Sequence, residues 1–213
     1  LDLGGFRLLL GCGASTMVAL RKFDIDHMSI DAVVISHLHG DHFGGLPFLD
    51  RVYHAYSRPK PLPVWGPPLL RERFEMALDA LFPGAGRRYE LELRSYEREF
   101  RLGPARITAL PVDHDPLSNP HGLRIESEGA CLAFSGDTTW TETLIELAQG
   151  ADVFLCECGL VEPGGPKHIA LSELRGQRAR LGCRRMLLTH LGQEMIDLLP
   201  LPDFEVLEDG MEL

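Results

Sequence analysis

Short apolar runs alternate along the chain with segments of helical period, the pattern of an α/β protein. Residues 6–10, 32–35, 62–65, 105–110, 123–126, 130–134, 153–156 and 185–188 read as strands. Between them, Leu70, Phe74, Ala77, Leu78 and Leu81 recur at helical spacing and predict a helix over 68–82 with one buried face, stopped at Pro83-Gly84. Residues 141–149 and 171–181 predict shorter helices, the second closed by Gly182. No helical segment separates the strand-like runs from Tyr89 to Phe134, so hairpins are expected there and the sheet is not purely parallel. Neither an internal repeat nor a shift in composition marks a boundary, and residues 1–213 are expected to form a single domain.

No apolar run approaches the ~20 residues of a membrane span, so no membrane association is expected. Acidic residues number 31 against 21 basic ones, a formal charge of −10. That sign opposes nonspecific nucleic-acid binding, which needs a wide basic face to neutralise phosphates. The five cysteines, Cys12, Cys131, Cys156, Cys158 and Cys183, are odd in number and lack a repeated CxxC spacing. They argue against a disulfide framework and for a reducing, cytoplasmic setting, with Cys156 and Cys158 read as packing residues. No basic-then-apolar leader opens the chain, which starts at Leu1 and leaves the position of the native N-terminus open.

The chemistry concentrates in Ser36-His37-Leu38-His39-Gly40-Asp41-His42-Phe43-Gly44-Gly45, directly after the run 32–35. Three imidazoles and a carboxylate make a poor core, since each would need a buried partner. In an extended segment, residues two apart share one side, so His37 and His39 can grip one metal together. Gly40 permits a turn, after which Asp41 and His42 can face a second position, and Gly44 and Gly45 let another backbone pass close by. His114, Asp137 and His190 each stand just past a strand-like run, the placement required of a site assembled from loops on one sheet edge. His27, His54 and His121 have no such partners and read as exposed or structural, His121 at the rim.

His37-Leu38-His39-Gly40-Asp41-His42, followed by an isolated His114, then Ser135-Gly136-Asp137-Thr138 and Thr189-His190-Leu191-Gly192, resembles the metallo-β-lactamase superfamily, closest to its ribonuclease Z-like and phosphodiesterase-like branch. The resemblance implies a four-layer αββα sandwich, in which one or two strands normally precede Phe6; whether this chain has them is left open. It implies two divalent metals. One would be held by His37, His39 and His114, the other by Asp41, His42 and His190, with Asp137 bridging and a metal-bridging hydroxide as nucleophile. Histidine-rich ligation with two carboxylates favours zinc, with manganese or iron as alternatives. By the same resemblance Asp41 joins the catalytic set, His168 is the proton donor to the leaving group, and Glu157 is the carboxylate that orients it. Gly11 stands where relatives carry Asp, which removes an acceptor from behind the ligands.

The expected activity is hydrolysis of a small phosphodiester, since a poor alkoxide leaving group needs an acid such as His168 more than a thiolate does. A thioester, lactone or sulfate-ester hydrolase of the same fold is the alternative, and a non-catalytic metal-binding or regulatory protein the third reading. Ribonuclease Z carries a long tRNA-gripping arm between the residues matching His114 and Asp137. Here these are only 23 residues apart, which leaves no room for the arm, so tRNA is not the expected substrate. Homodimers are common in the branch, and nothing in the chain identifies an interface.

Overall fold

The apolar runs at the start of the chain pair as a mostly parallel sheet. The computed structural model describes residues 1–213, which gather into two units. The first comprises Leu1–Glu97 with Leu102–Pro104. Its elements are β1 (Asp2–Leu3), β2 (Phe6–Leu10), α1 (Thr16–Lys22), β3 (Ala32–Val34), α2 (Gly40–Phe43), α3 (Leu46–Ala55), β4 (Leu62–Gly66), α4 (Leu70–Leu81) and β5 (Leu91–Ser95). The strand order is β1-β2-β3-β4-β5, antiparallel only at β1–β2, so one short strand does precede Phe6. β3, the strand that feeds the histidine-rich segment, is buried along its whole length.

The core of this unit gathers Val33, Ile35, Leu46, Leu49, Tyr53, Leu62, Val64 and Phe74. Phe74 comes from the buried stripe of α4, and burying such a ring stabilises the fold by about 2–3 kcal/mol. The sequence starts this helix at residue 68. The structure starts it at Leu70, because Leu69 takes a left-handed conformation (φ 72°) after Pro67-Pro68. The apolar pattern assigns no helix to 46–55, yet α3 forms there with Pro47 tolerated in its first turn. Its buried stripe is interrupted by a charge, Asp50, which is 1% exposed. That carboxylate accepts from Arg87 Nε (2.6 Å) and the Tyr89 hydroxyl (2.7 Å), and also pairs with Arg51. These partners offset the cost of burying it.

The second unit comprises Arg98–Arg101 and Ala105–Leu213. Its elements run β6 (Glu99–Leu102), β7 (Ala105–Pro111), β8 (His121–Ser127), β9 (Ala130–Phe134), α5 (Thr143–Ala148), β10 (Val153–Glu157), α6 (Leu171–Gln177), β11 (Arg185–Thr189), α7 (Gln193–Asp197) and β12 (Glu205–Val206). The strands form one sheet in the order β12-β11-β10-β9-β8-β7-β6. β7, β8 and β9 are antiparallel neighbours, the hairpins expected from the sequence, and β9 to β12 are parallel. Hairpin pairing does not reach back to residue 91, because β5 lies parallel to β4 in the other sheet. The helix expected over 171–181 is α6 followed by a 3₁₀ turn at Arg178–Arg180. The core holds Leu144, Leu147, Phe154, Leu171, Leu174, Leu188 and Met195, with Cys156 and Cys158 buried among them. Burial pushes the Cys158 thiol up to about 12, which leaves it an inert packing group. All five cysteines are free, and no helix is long and apolar enough to cross a membrane.

Candidate metal centre

Each unit carries its own set of metal-type donors. In the first, the chain leaves β3 and runs through Ser36 to His39, whose extended backbone (φ −77°, ψ 152°) precedes α2. His37 is fully buried. Its ring centroid lies 5.0 Å from that of His39 and 4.0 Å from that of His42. The Ser36 hydroxyl lies 3.2 Å from His37 Nδ1, fixing one edge of that ring. Asp41 opens outward from the first turn of α2, its side chain 60% exposed, with Oδ2 3.1 Å from His42 Nε2. The turn after His39 is thus one turn of helix, and Gly40 needs no special conformation to make it, since an added Cβ there would meet open space.

The neighbouring glycines are required instead. The Cys12 N–H donates to the His42 carbonyl (2.7 Å), and the Gly45 N–H donates to the Cys12 carbonyl (2.8 Å). A Cβ on Gly13 would fall 1.6 Å from the Asp41 carbonyl oxygen, and one on Gly45 would fall 2.1 Å from that of Gly13. This is the close backbone passage that Gly44-Gly45 signalled. Gly11 itself sits at φ 77° and donates to the Val34 carbonyl (2.8 Å), so here the position serves backbone geometry.

In the second unit, β7, β9, β10 and β11 run in one direction, so their C-terminal ends share a sheet edge. That edge presents His114, Asp137, Glu157 and His190. Asp137 follows a left-handed turn at Gly136 (φ 61°) and is 3% exposed. His190 is itself left-handed (φ 54°), a conformation that costs a non-glycine residue roughly 1–2 kcal/mol. The turn places its Nε2 3.2 Å from Asp137 Oδ2. Such strain at a polar cluster is of the kind that gathers at functional positions.

His114 donates through Nδ1–H to the Lys167 carbonyl (2.7 Å), since a carbonyl only accepts, and this makes Nε2 the nitrogen that could hold a metal. The Lys167 side chain ties down the same segment, with Nζ 2.8 Å from Asp113 Oδ1. The Lys167 and Thr139 hydrogen bonds hold the Asp113 carboxyl below its ordinary range. Donor atoms of His114, Asp137 and His168 lie within 4.8 Å of one another, as do those of Glu157, His168 and His190. Imidazole and carboxylate donors without thiolates suit zinc, manganese or iron.

Glu157 is the last residue of β10 and is fully buried. Its Oε1 accepts from the Thr138 N–H (2.7 Å) and lies 2.9 Å from His168 Nδ1. Its Oε2 accepts from the N–H groups of Gly159 (3.1 Å) and Ile169 (3.3 Å). His168 does not cap α6. The Glu173 carboxylate, one turn into the helix, accepts from the Ala170 N–H there instead (3.4 Å). The His168 ring lies 4.9 Å from His114 and 5.0 Å from His190 by centroid. The Lys167 carbonyl and the Ser135 hydroxyl, which accepts from the Glu157 N–H at 2.8 Å, are supports with no local sequence signal. His121 makes a local contact, Nδ1–H to the Asn119 carbonyl at 2.9 Å, and is structural.

The pattern of the family described as Beta-lactamase superfamily domain matches residues 7–191. Ribonuclease Z of Mycobacterium bovis is 31% identical over 167 residues, 71% of this chain and 60% of that protein. The chain therefore spans about 60% of the length of this curated relative. The short form of human tRNase Z superposes with a TM-score of 0.79 at 20% identity, covering 99% of this chain and 89% of that one. A diphosphatase from the PhnP family superposes with a TM-score of 0.73 at 21% identity, covering 97% and 79%. At such identities the two structures speak for a common fold.

Proposed function

The chain belongs to the beta-lactamase superfamily and has the metallo-β-lactamase fold, and from that premise we propose that it is a metal-dependent hydrolase of small phosphodiesters. The observation that carries the reading is the His168–Glu157 pair, an imidazole held at 2.9 Å by a fully buried carboxylate. A phosphodiester leaves an alkoxide, which needs a proton as its bond breaks. Glu157 accepts a hydrogen bond from the Nδ1–H of His168, so the proton given up is the one on Nε2. Two divalent metals, zinc first, are assigned to His37, His39 and His114 and to Asp41, His42 and His190, with Asp137 shared. When bound they supply positive charge that draws in the phosphodiester and acidifies water. Asp41 is also counted in the catalytic set.

A small substrate is favoured over tRNA by two features. The interval from His114 to Asp137 holds only a 3₁₀ turn at Pro116–Ser118 and the β8–β9 hairpin. The formal charge of −10 gives little grip on an extended phosphate backbone. The test is turnover of a chromogenic phosphodiester, a cyclic nucleotide, a thioester and a precursor tRNA, each with and without added zinc after chelation. Zinc-dependent hydrolysis of the first two is expected. Preference for the thioester, or tRNA processing at physiological salt that His37→Ala abolishes, would refute the substrate assignment.

A further inference from the structure

Tyr96 follows β5 in a charged stretch and is 6% exposed. Its hydroxyl lies 3.1 Å from the carbonyl oxygen of Ile35 and 3.1 Å from that of Ser36. In extended chain, consecutive carbonyls point to opposite sides, so one donor reaches both only where the backbone bends between them. The bend falls just past β3 and directly before His37. On its near side the Ile35 N–H still continues the sheet, donating to the Trp65 carbonyl at 2.8 Å. On its far side the Ser36 hydroxyl already meets the His37 ring. The Tyr96 N–H donates to the Gly66 carbonyl (2.9 Å), which anchors the residue to the end of β4. Burial pushes the phenol well above its ordinary pKa, which keeps it a neutral donor.

We propose that Tyr96 is a positioning residue for the metal ligands: its hydroxyl fixes the bend at Ile35-Ser36 and, through it, the directions of His37 and His39. This rests on the metal reading above. A purely structural phenol is present in the same unit for comparison. Tyr53 is fully buried and its hydroxyl donates to the His27 carbonyl at 2.6 Å, a bond of the same type that holds no ligand segment.

Tyr96→Phe and Tyr53→Phe each remove one hydroxyl and keep the ring that fills the core. Zinc affinity is measured for both variants and the unaltered protein by competition with a chromophoric chelator, together with the visible spectrum of each after cobalt loading. Tyr96→Phe is expected to weaken zinc binding about tenfold or more and to shift the cobalt spectrum. Tyr53→Phe is expected to lower the melting temperature of the metal-free protein while leaving affinity and spectrum unchanged. If the unaltered protein binds zinc and Tyr96→Phe binds it within about twofold as tightly, or if both variants weaken it equally, the positioning role is overturned alone. If the unaltered protein takes up no zinc, the metal reading falls and this inference with it.

Discussion

Glu157→Gln changes one oxygen to an NH₂ group in a fully buried side chain and tests whether the carboxylate is the acceptor hub of its sheet edge. Two N–H donors face each oxygen, Thr138 and His168 on Oε1 and Gly159 and Ile169 on Oε2. The amide can present its oxygen to only one pair. In either orientation its NH₂ confronts two donors, which lose their buried acceptor. Each orphaned buried donor costs about 1–3 kcal/mol, so the substitution should destabilise by about 2–6 kcal/mol. For a chain of this size each kcal/mol lowers Tm by roughly 2–4 °C, so a drop of roughly 4–24 °C is expected. The assay is thermal and urea unfolding of the metal-free protein, which separates this effect from any loss of metal. The same variant should lose turnover of poor-leaving-group substrates as His168 loses its orienting charge. A loss below about 1 kcal/mol with m unchanged would refute the hub, because it would mean the four hydrogen bonds are not made in solution.

Other expected outcomes follow from the same geometry. His168→Ala should keep bound metal while slowing poor leaving groups by roughly 10²–10⁴, with a smaller loss on a nitrophenolate ester; equal losses on both would assign His168 another role. Asp137→Ala should lose both metals by elemental analysis and His190→Ala mainly one, since Asp137 is assigned as the shared ligand; retention of two metals by Asp137→Ala would remove it from the centre. Burial lowers the pKa of His121 below its ordinary 6.5, partly opposed by the Asn119 carbonyl. The unfolded chain therefore binds that proton first, and the contribution to stability is fully present above pH ~6.5 and is lost as the pH falls through the folded value. The stability of His121→Asn should thus fall less steeply than that of the unaltered protein between pH 7 and 5, and parallel curves would contradict the burial.

Within six residues the sequence displays His37, His39, Asp41 and His42, and strand-end placement singles out His114, Asp137 and His190. As candidates these are legible because metal-binding chemistry depends on residue type and short spacing, and because a polar residue just past an apolar run stands at a sheet edge. Eight strands were legible because each is an apolar run long enough to bury, whereas β1, β5, β6 and β12 are short or carry charged residues and show no such run. α3 was not, because Asp50 interrupts its buried stripe, and besides its neighbour Arg51 the groups that satisfy it, Arg87 and Tyr89, lie far along the chain. Nor could sequence show that Gly11 serves backbone geometry, that His114 is held by a carbonyl 53 residues away, or that the Tyr96 hydroxyl meets the Ser36 carbonyl across 60 residues. The identity of a residue states what it can donate or accept, and the local pattern states whether it is buried. Which donor meets which acceptor depends on sheet register and on where each strand ends, and only the folded chain decides that.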